Sequence, residues 1–491
     1  MTAQAAHDLP GGTGLVLPAS EQRRIVSGLQ VGIFVAAIDS TLVSVALLSI
    51  ARDLGGASLI AWVVAGYTVA ATVATPVYGS LSDLYGRKRM MSIAIIVYML
   101  ACIGCVFAQS MTQLLLLRIL QGLGGGGLVV LAQSTIGDVV PPTERGRFQA
   151  WLSGTYALAA LIGPITSGYL TAWFGWRSIF VVTLPLALIA LLLTRRIMAR
   201  LPRPASVVPP DYPSVVILAL GLTSLLIALT RIGQGARLAD PAGASLIVAG
   251  AIMLVIFWQR QYKVAGPIMA PDLLSNRNVL WGSAASALVF FALIGGAVML
   301  PLALQTIAGD SPDQVALKML VHALAVPCGA FFSGRMMPKT MKFRRNMTFG
   351  ALLGASCAAA LAFMQFGSPI PVGLAMFGLG LGVGISLPPG IIAVQVAVAS
   401  NRIGAVTAFL GLARSMGSAM GLAILTSVLF SAIGVTGGGS AAMLVKKTGP
   451  ADAALVHGFS MVFVCMACAL LLSAAAAMQL PARARIGTGQ A

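Results

Sequence analysis

Acidic residues are scarce in this chain of 491 residues, which has 13 of them against 31 Lys and Arg. All charged residues together make up 9% of the sequence and aromatic residues 7%, whereas 58% is hydrophobic. An ordinary globular domain is about one quarter charged. The composition therefore excludes an ordinary soluble protein and indicates a chain that lies within a lipid bilayer.

The sequence also lacks the residue sets that support catalysis or ATP use. It has three His, and all six Cys lie inside apolar segments, so neither a metal cluster nor a disulfide framework is expected. The Gly-x-x-x-x-Gly-Lys-Ser/Thr phosphate loop does not occur, and no nucleophilic triad or catalytic carboxylate pair can be assembled. We expect neither an enzyme nor a protein with a cofactor.

Long apolar segments occupy most of the chain. A helix that spans a membrane needs about 20 mostly apolar residues. The candidate spans are residues 25–50, 59–81, 90–108, 114–137, 148–170, 178–194, 214–230, 242–259, 280–308, 315–332, 347–366, 371–398, 403–433 and 456–478. The sequence thus predicts an all-α polytopic membrane protein with fourteen spans and no soluble domain.

The positive charge is distributed asymmetrically between the two sides of these spans. Alternate connections, starting before the first span, hold 22 of the 31 Lys and Arg. Because cytoplasmic loops are enriched in Lys and Arg, this pattern predicts that both termini are cytoplasmic in a multi-pass protein of the inner cell membrane. The net charge of +18 is explained by topology, so we expect lipid contact and no nucleic-acid partner. Residues 1–24 lack the features of a cleavable signal peptide.

Asp39 is the one acidic residue well inside a predicted span. A charged side chain in hydrocarbon costs roughly 2.5–3.5 kcal/mol on insertion scales, so it usually marks a functional site. Arg118 is a second charge within the membrane, in the fourth span. A helical rise of about 1.5 Å per residue brings the two residues to depths from which their side chains can meet. We predict a direct or water-bridged pair, with Asp39 as the proton carrier.

Two glycine-containing motifs follow along the chain. Between the second and third spans, a frame of glycines and charges predicts a tight turn that contacts a neighbouring helix. The candidate residues of a cytoplasmic gate in this frame are Gly79, Asp83, Gly86, Arg87 and Arg89. In the fifth span, Gly163-Pro164 predicts a kink, because proline removes a backbone hydrogen bond. Whether that kink shapes a cavity or only helps packing stays open.

Together, these ordered motifs resemble those of the major facilitator superfamily, and specifically its fourteen-helix drug:proton antiporter branch. The resemblance rests on four stretches, Asp39-Ser40-Thr41, residues 79–90, Leu117-Arg118-Ile119-Leu120-Gln121-Gly122, and Gly163-Pro164 with Gly168. It implies two six-helix bundles with two inserted helices. The expected divisions are an N-terminal tail (1–24), a first bundle (25–203), inserted helices (204–265), a second bundle (266–480) and a C-terminal tail (481–491).

An internal repeat agrees with two related bundles. The stretch 334–345 lies 255 residues beyond 79–90 and resembles a copy without the acidic residue. Candidate cavity residues are Tyr67, Gln305, His322 and Arg414. Lys318 shares a helix face with His322; it either points outward, or it repels cations or selects anions. His322 either titrates or serves as a hydrogen-bonded structural residue.

The combined pattern predicts a proton-coupled exporter of neutral or monocationic amphiphilic small molecules, of the multidrug-efflux type and monomeric. One alternative is an exporter dedicated to a single metabolite, such as an antibiotic or an organic acid. A remote alternative is a membrane sensor or scaffold that no longer transports.

Overall fold

The computed structural model describes residues 18–55, 59–198, 211–233, 240–264, 267, 271–310, 312–340, 342–364, 368–399, 402–432 and 453–481. All regular structure in these ranges is helical. The helices are α1 Ala19–Leu54, α2 Ile60–Tyr85, α3 Arg87–Val106, α4 Met111–Val139, α5 Pro142–Phe174, α6 Ser178–Ile197, α7 Tyr212–Gly233, α8 Pro241–Gln261, α9 Asp272–Ser275, α10 Arg277–Thr306, α11 Pro312–Thr340, α12 Phe343–Phe363, α13 Pro369–Val396, α14 Ile403–Ala432 and α15 Ala453–Met478.

Apart from the four-residue α9, each helix overlaps one predicted apolar segment in chain order. Within the described residues, twelve helices are long and apolar enough to cross a membrane. The two long helices outside that set are α2 and α5. The prediction of an all-helical membrane protein is therefore confirmed, whereas the count of fourteen spans is not supported by these twelve.

The long helices pack in two groups, α1–α6 and α10–α15, each around its own apolar core. Buried side chains of α1–α6, together with Ala408 of α14, form the core of the first group, and those of α10–α15 form the core of the second. The predicted boundaries near residues 203 and 265 fall outside the described residues. Because the chain reverses between successive long helices, one end of the bundle holds Asp83 and the other holds Asp53. These are called the Asp83 end and the Asp53 end below.

Helices α7 and α8 form a hairpin against the outside of both groups. Leu218 and Leu222 of α7 are buried in one cluster with Val73 of α2, and Met416 of α14 packs against that cluster. At the base of the hairpin, Arg260 forms an ion pair with Asp211 at 2.8 Å. The hairpin therefore covers the seam where α2 of the first group meets α14 of the second.

Glycines in α4 allow its backbone to contact two neighbouring helices. A Cβ at Gly126 would overlap the backbone of Ala71 in α2, and one at Gly124 would lie 2.6 Å from the backbone nitrogen of Tyr98 in α3. Small residues permit such close approach between membrane helices. The glycine stretch therefore lets α4 pack closely on both α2 and α3.

Candidate functional site

A buried ion pair joins α1 to α4 near the middle of the first group. Nη1 of Arg118 lies 2.6 Å from Oδ2 of Asp39, and each side chain is 1% exposed. The predicted pairing of these two residues is confirmed. A charge-assisted bond of this kind is short and strong, and burial removes the water that would otherwise weaken it.

Three further side chains complete the surroundings of this pair. Gln121, one helical turn beyond Arg118, donates from Nε2 to Oδ1 of Asp39 at 2.9 Å and to Sγ of Cys102 at 2.9 Å. Its Oε1 accepts from Nη1 of Arg118 at 2.5 Å. The Tyr67 ring lies 4.4 Å from the guanidinium carbon of Arg118, a cation–π distance. The sequence identified Gln121 only as part of a motif, because its bridging role depends on three helices.

This arrangement couples the charge of one carboxyl group to helix packing. Ionised Asp39 accepts bonds from Arg118 and Gln121 at its two oxygens. Protonation would cancel its negative charge and turn one oxygen into a donor, which faces cationic Arg118 unfavourably. The contact between α1 and α4 can therefore respond to a single proton.

The predicted kink region packs α5 closely on α1. A Cβ at Gly163 would overlap the Thr41 hydroxyl, and Ser167 donates to the Leu42 carbonyl at 2.6 Å. By contrast, Gly168 is exposed and faces no other described group within 4 Å. The side chain of Pro164 lies outside the described part of the chain. The tight packing explains Gly163, and a cavity-shaping kink stays a prediction.

Away from the Asp39 site, a contact at the Asp83 end connects the two groups of helices. The Asp83 carboxylate accepts hydrogen bonds from the backbone nitrogen of Gly404 at 3.2 Å and from that of Ala405 at 2.8 Å. These N–H groups lie in the first turn of α14, where the helix dipole favours a negative charge. Close approach of the helices is possible because a Cβ at Gly79 would overlap that of Ala408.

Arg87 holds Asp83 in place from its own side of the seam. Its guanidinium lies 2.5 Å from Asp83 and 2.7 Å from Asp138 of α4, and it also donates to the Ser82 hydroxyl. Gly86, with φ of +90°, makes the turn between α2 and α3 in a conformation that other residues rarely adopt. Asp138 was missed from the sequence, because nothing in its local pattern indicates a partner 51 residues away.

Arg89 is not part of this ion-pair network. It is exposed, and its guanidinium lies 5.7 Å from the centre of the Tyr85 ring. The structure thus brings together Gly79, Asp83, Gly86 and Arg87 of the predicted gate and leaves Arg89 outside it. The physical reason is the position of Arg89 two residues into α3, which turns its side chain away from α14.

The candidate cavity residues do not form one cluster. Tyr67 belongs to the Asp39 site, and Gln305 is exposed near the end of α10. Arg414 is 9% exposed, donates to the Leu387 carbonyl at 3.3 Å and lies 5.1 Å from the Phe290 ring centre. No acidic partner for Arg414 is present among the described residues, so its charge is met by backbone and aromatic groups.

His322 and Lys318 have separate surroundings despite their shared helix face. His322 is buried at 4% exposure, and its Nδ1 lies 3.0 Å from the Met376 carbonyl oxygen. Lys318 forms an ion pair with Asp310 at 2.5 Å. Asp310 therefore neutralises Lys318, which argues against the alternative in which Lys318 repels cations or selects anions.

At the Asp53 end, a surface cluster ties α1 to the start of α6. Asp53 accepts from Nε1 of Trp176 at 2.9 Å and from Arg177 at 2.7 Å. Both bonds favour the ionised carboxylate, so they hold the pKa of Asp53, which lies beyond the candidate span of α1, below its usual range.

Two packed groups of membrane-type helices, a buried acid–arginine pair and an inter-group contact at one end define a polytopic α-helical transporter. The family model described as the Major Facilitator Superfamily matches residues 29–422. The chain belongs to the Major Facilitator Superfamily, and it is a transporter rather than an enzyme.

Known proteins similar to this chain include two from Bacillus subtilis. Multidrug transporter protein MdtP is 27% identical over 414 residues, covering 84% of this chain and 76% of MdtP. Multidrug resistance protein 3 is 28% identical over 334 residues, covering 67% of this chain and 64%, less than two thirds, of that protein. Among solved structures, the human organic anion transporter MFSD10 aligns with a TM-score of 0.66 at 16% identity, covering 94% of this chain and 100% of the other. At that identity, the match shows the fold alone.

Proposed function

We propose that this transporter is a proton-coupled antiporter that exports amphiphilic small molecules by alternating access. The observation that carries the proposal is the buried Asp39–Arg118 pair at 2.6 Å. The names of MdtP and Multidrug resistance protein 3 support a multidrug substrate range. The assignment to the fourteen-helix drug:proton antiporter branch is part of the same proposal.

The proton would be carried by Asp39. In the ionised state its carboxylate is held by Arg118 and Gln121, and protonation weakens that hold. A loosened contact between α1 and α4 favours a different arrangement of the first group. A proton can shift the equilibrium between two conformations only by its differential affinity for them, and the ion pair supplies such a difference.

The gate would be the contact between Asp83 and the start of α14. It holds the two groups together at the Asp83 end, and its release would allow that end to open. On the proposed topology, both termini are cytoplasmic and this end faces the cytoplasm. The long helices α2 and α5, which are not among the twelve candidate spans, would then also cross the membrane and give fourteen spans. Each of them begins at one end of the bundle and ends at the other, where the next helix starts.

The charge of the substrate follows from the energetics of exchange. One proton exchanged for one monocation is electroneutral and uses only the pH gradient, about 1.4 kcal/mol per pH unit. Export of a neutral compound also gains about 2.3 kcal/mol per 100 mV of membrane potential. With one proton at Asp39, neutral and monocationic amphiphiles are therefore favoured over dications.

The second candidate is an exporter dedicated to one metabolite, such as an organic acid. The observation that favours it is Arg414, a buried cation with no acidic partner among the described residues. Such a group suits a substrate with a carboxylate or a carbonyl oxygen. Deleting the gene separates the candidates, because broad drug sensitisation favours multidrug export and loss of one secreted compound favours the dedicated exporter.

The test of proton coupling uses purified protein in proteoliposomes with an imposed pH gradient. Ethidium serves as the monocationic probe, and a pH-sensitive dye reports proton movement. We expect gradient-driven ethidium transport in the wild type and its loss in Asp39→Asn. Asp211→Asn is the matched control, since it removes an acid that is ion-paired with Arg260 outside the site. Undiminished coupled transport in Asp39→Asn would remove Asp39 from the mechanism.

A further inference from the structure

The internal repeat aligns His322 with a member of the Asp39 site. The offset of 255 residues that relates 334–345 to 79–90 also relates His322 to Tyr67 and Met376 to Gln121. Tyr67 and Gln121 both contact Arg118 in the first group. His322 and Met376 contact each other in the second group, through Nδ1 and the carbonyl oxygen at 3.0 Å. The two positions thus meet in both groups, through Arg118 in the first group and directly in the second.

Within this second copy, His322 is the one titratable member. The positions equivalent to Asp39 and Arg118 are Ile294 and Gly373. Neither side chain can carry a charge. The second group therefore keeps the location of the site in the first group but replaces its acid–base pair by one imidazole.

The hydrogen bond fixes which ring nitrogen of His322 is free to take a proton. A carbonyl oxygen only accepts, so Nδ1 must carry the hydrogen that it shares with Met376. In the neutral imidazole, Nε2 then holds the lone pair. Nε2 is buried, and none of the described groups bonds to it. It faces Gly296 of α10, where a Cβ would lie 3.0 Å away, so the glycine leaves room in front of this nitrogen.

The helices around His322 contribute no acid at its depth. Helix α13 has no titratable residue between Pro369 and Val396, and α10 has only Arg277, at the Asp83 end. On α5, the charged Glu144, Arg145 and Arg147 also lie at the Asp83 end, leaving Tyr156 and Tyr169 as its titratable groups within the bundle. On α11 itself, the described side chains that titrate are Lys318, Cys328 and Arg335.

A line of ionisable groups leads from the Asp53 end towards the imidazole. Asp310 precedes α11 and is ion-paired with Lys318 at 2.5 Å. Lys318 lies four residues before His322, so the two share a helix face about 6 Å apart along the axis. Rows of ionisable side chains within membrane proteins often mark proton pathways. Asp310 and Lys318 thus place two ionisable groups between the Asp53 end and His322.

We infer that Nε2 of His322 is a second proton-binding site, placed in the second group of helices where the Tyr67 position of the first group recurs. The step is the addition of one proton to the Nε2 lone pair, which gives an imidazolium still bonded to Met376. Its use in transport rests on the proposed proton coupling. Two protons per cycle would make export of a dication electroneutral, which widens the substrate range derived from Asp39 alone.

The first experiment follows the imidazole directly. The chain has three His, so protein labelled with ¹⁵N-histidine and held in detergent gives few signals in an NMR spectrum. His322→Asn, whose amide can keep the bond to Met376, identifies the His322 signal by its loss. We expect the signal of the unprotonated ring nitrogen to disappear as the pH falls from 8 to 5. A His322 signal that stays neutral over that range overturns the inference.

The second experiment counts protons per ethidium in proteoliposomes. We expect the ratio to fall about twofold in His322→Asn and to stay unchanged in His457→Asn, whose exposed side chain lies in the first turns of α15. His322→Gln is a second variant should His322→Asn fail to fold. An unchanged ratio in a folded His322 variant overturns the second site. If the wild type moves ethidium without protons, that result contradicts the proposed function instead. The titration of the ¹⁵N signal then decides by itself whether His322 binds a proton.

Discussion

Asp83 in the last turn of α2 binds the backbone nitrogen of Ala405 in the first turn of α14 at 2.8 Å. The bond joins a carboxylate of one helix group to the positive end of a helix dipole in the other. A second bond between the groups lies at the same end, where Nε2 of Gln395 lies 3.3 Å from the Gln133 carbonyl. Closure at this end therefore combines a few polar contacts with the close packing of Gly79 on Ala408.

Replacing Asp83 with Asn should favour the state in which this end is open. The amide keeps the size of the carboxylate but loses the charge, and a hydrogen bond to a charged group contributes about 1.5–3 kcal/mol. Thr407 of α14 is 1% exposed and reports opening. We expect Thr407→Cys, in a chain whose six native Cys are replaced, to react faster with a water-soluble maleimide when Asp83→Asn is also present.

The control for this measurement is Asp211→Asn. Asp211 is ion-paired with Arg260 inside the α7–α8 hairpin and contributes nothing to the bond between α2 and α14. Its loss should leave the reactivity of Thr407→Cys unchanged. Equal acceleration by both substitutions would show that loss of an acid, rather than of this contact, opens the end.

Gly79→Ala should open the same end although it removes no charge. The new methyl group would overlap the Ala408 side chain and lie 2.8 Å from the Gly404 carbonyl oxygen. Ala408→Gly relieves the first clash and leaves the second, so the double variant should recover part of the wild-type protection of Thr407→Cys. A double variant as reactive as Gly79→Ala alone would contradict steric contact as the cause.

Arg118→Met should destabilise the first group strongly. Removing one partner of a buried ion pair leaves an uncompensated charge, at a cost of about 3–5 kcal/mol. Adding Asp39→Asn should recover much of that loss, because the orphaned charge is then absent. Denaturant unfolding in detergent measures the free energies. For comparison, Arg231→Met breaks a partly exposed pair with Asp240 and should cost at most about 1 kcal/mol.

Asp53 contributes to the stability of the folded state, and the contribution changes with pH in a defined direction. Its bonds from Trp176 and Arg177 lower its pKa, so the folded state favours the ionised form. The stabilisation is complete above the unfolded-state pKa of about 3.9 and is lost as the pH falls through the lower folded-state pKa. Asp53→Asn should therefore lower the Tm at pH 7 and have much less effect near pH 3. An equal Tm difference at both pH values would exclude this ionisation as the cause.

The sequence predicted the helices and the Asp39–Arg118 pair because both follow from one-dimensional rules. Apolar runs mark the helices, and a fixed rise per residue gives the depth of each charge. By contrast, the partners of Asp83 in α14 are backbone N–H groups more than 300 residues away. Backbone atoms carry no sequence signal, so only the packed structure shows where a carboxylate meets a helix start.

The less accurate predictions concern side chains whose direction depends on helix rotation. Gln305 was expected to face a cavity and is exposed near the end of α10. Gln121 was noted only as part of a motif, and it connects three other side chains. Both residues are glutamines in apolar helices, so composition and periodicity alone do not separate them. Lys318 differs because its partner Asp310 lies in the preceding connection, whose path a helical pattern does not specify.

The α7–α8 hairpin has a consequence for molecules dissolved in the bilayer. Because α7 packs on α2 and α14 together, a lipid or drug molecule approaching that side meets the hairpin before it reaches the junction. On another side, α5 and α11 pack directly on each other. We expect amphiphiles that enter sideways from the membrane to use the α5–α11 side, so the inserted helices would give a pseudo-symmetric protein one preferred lateral entrance.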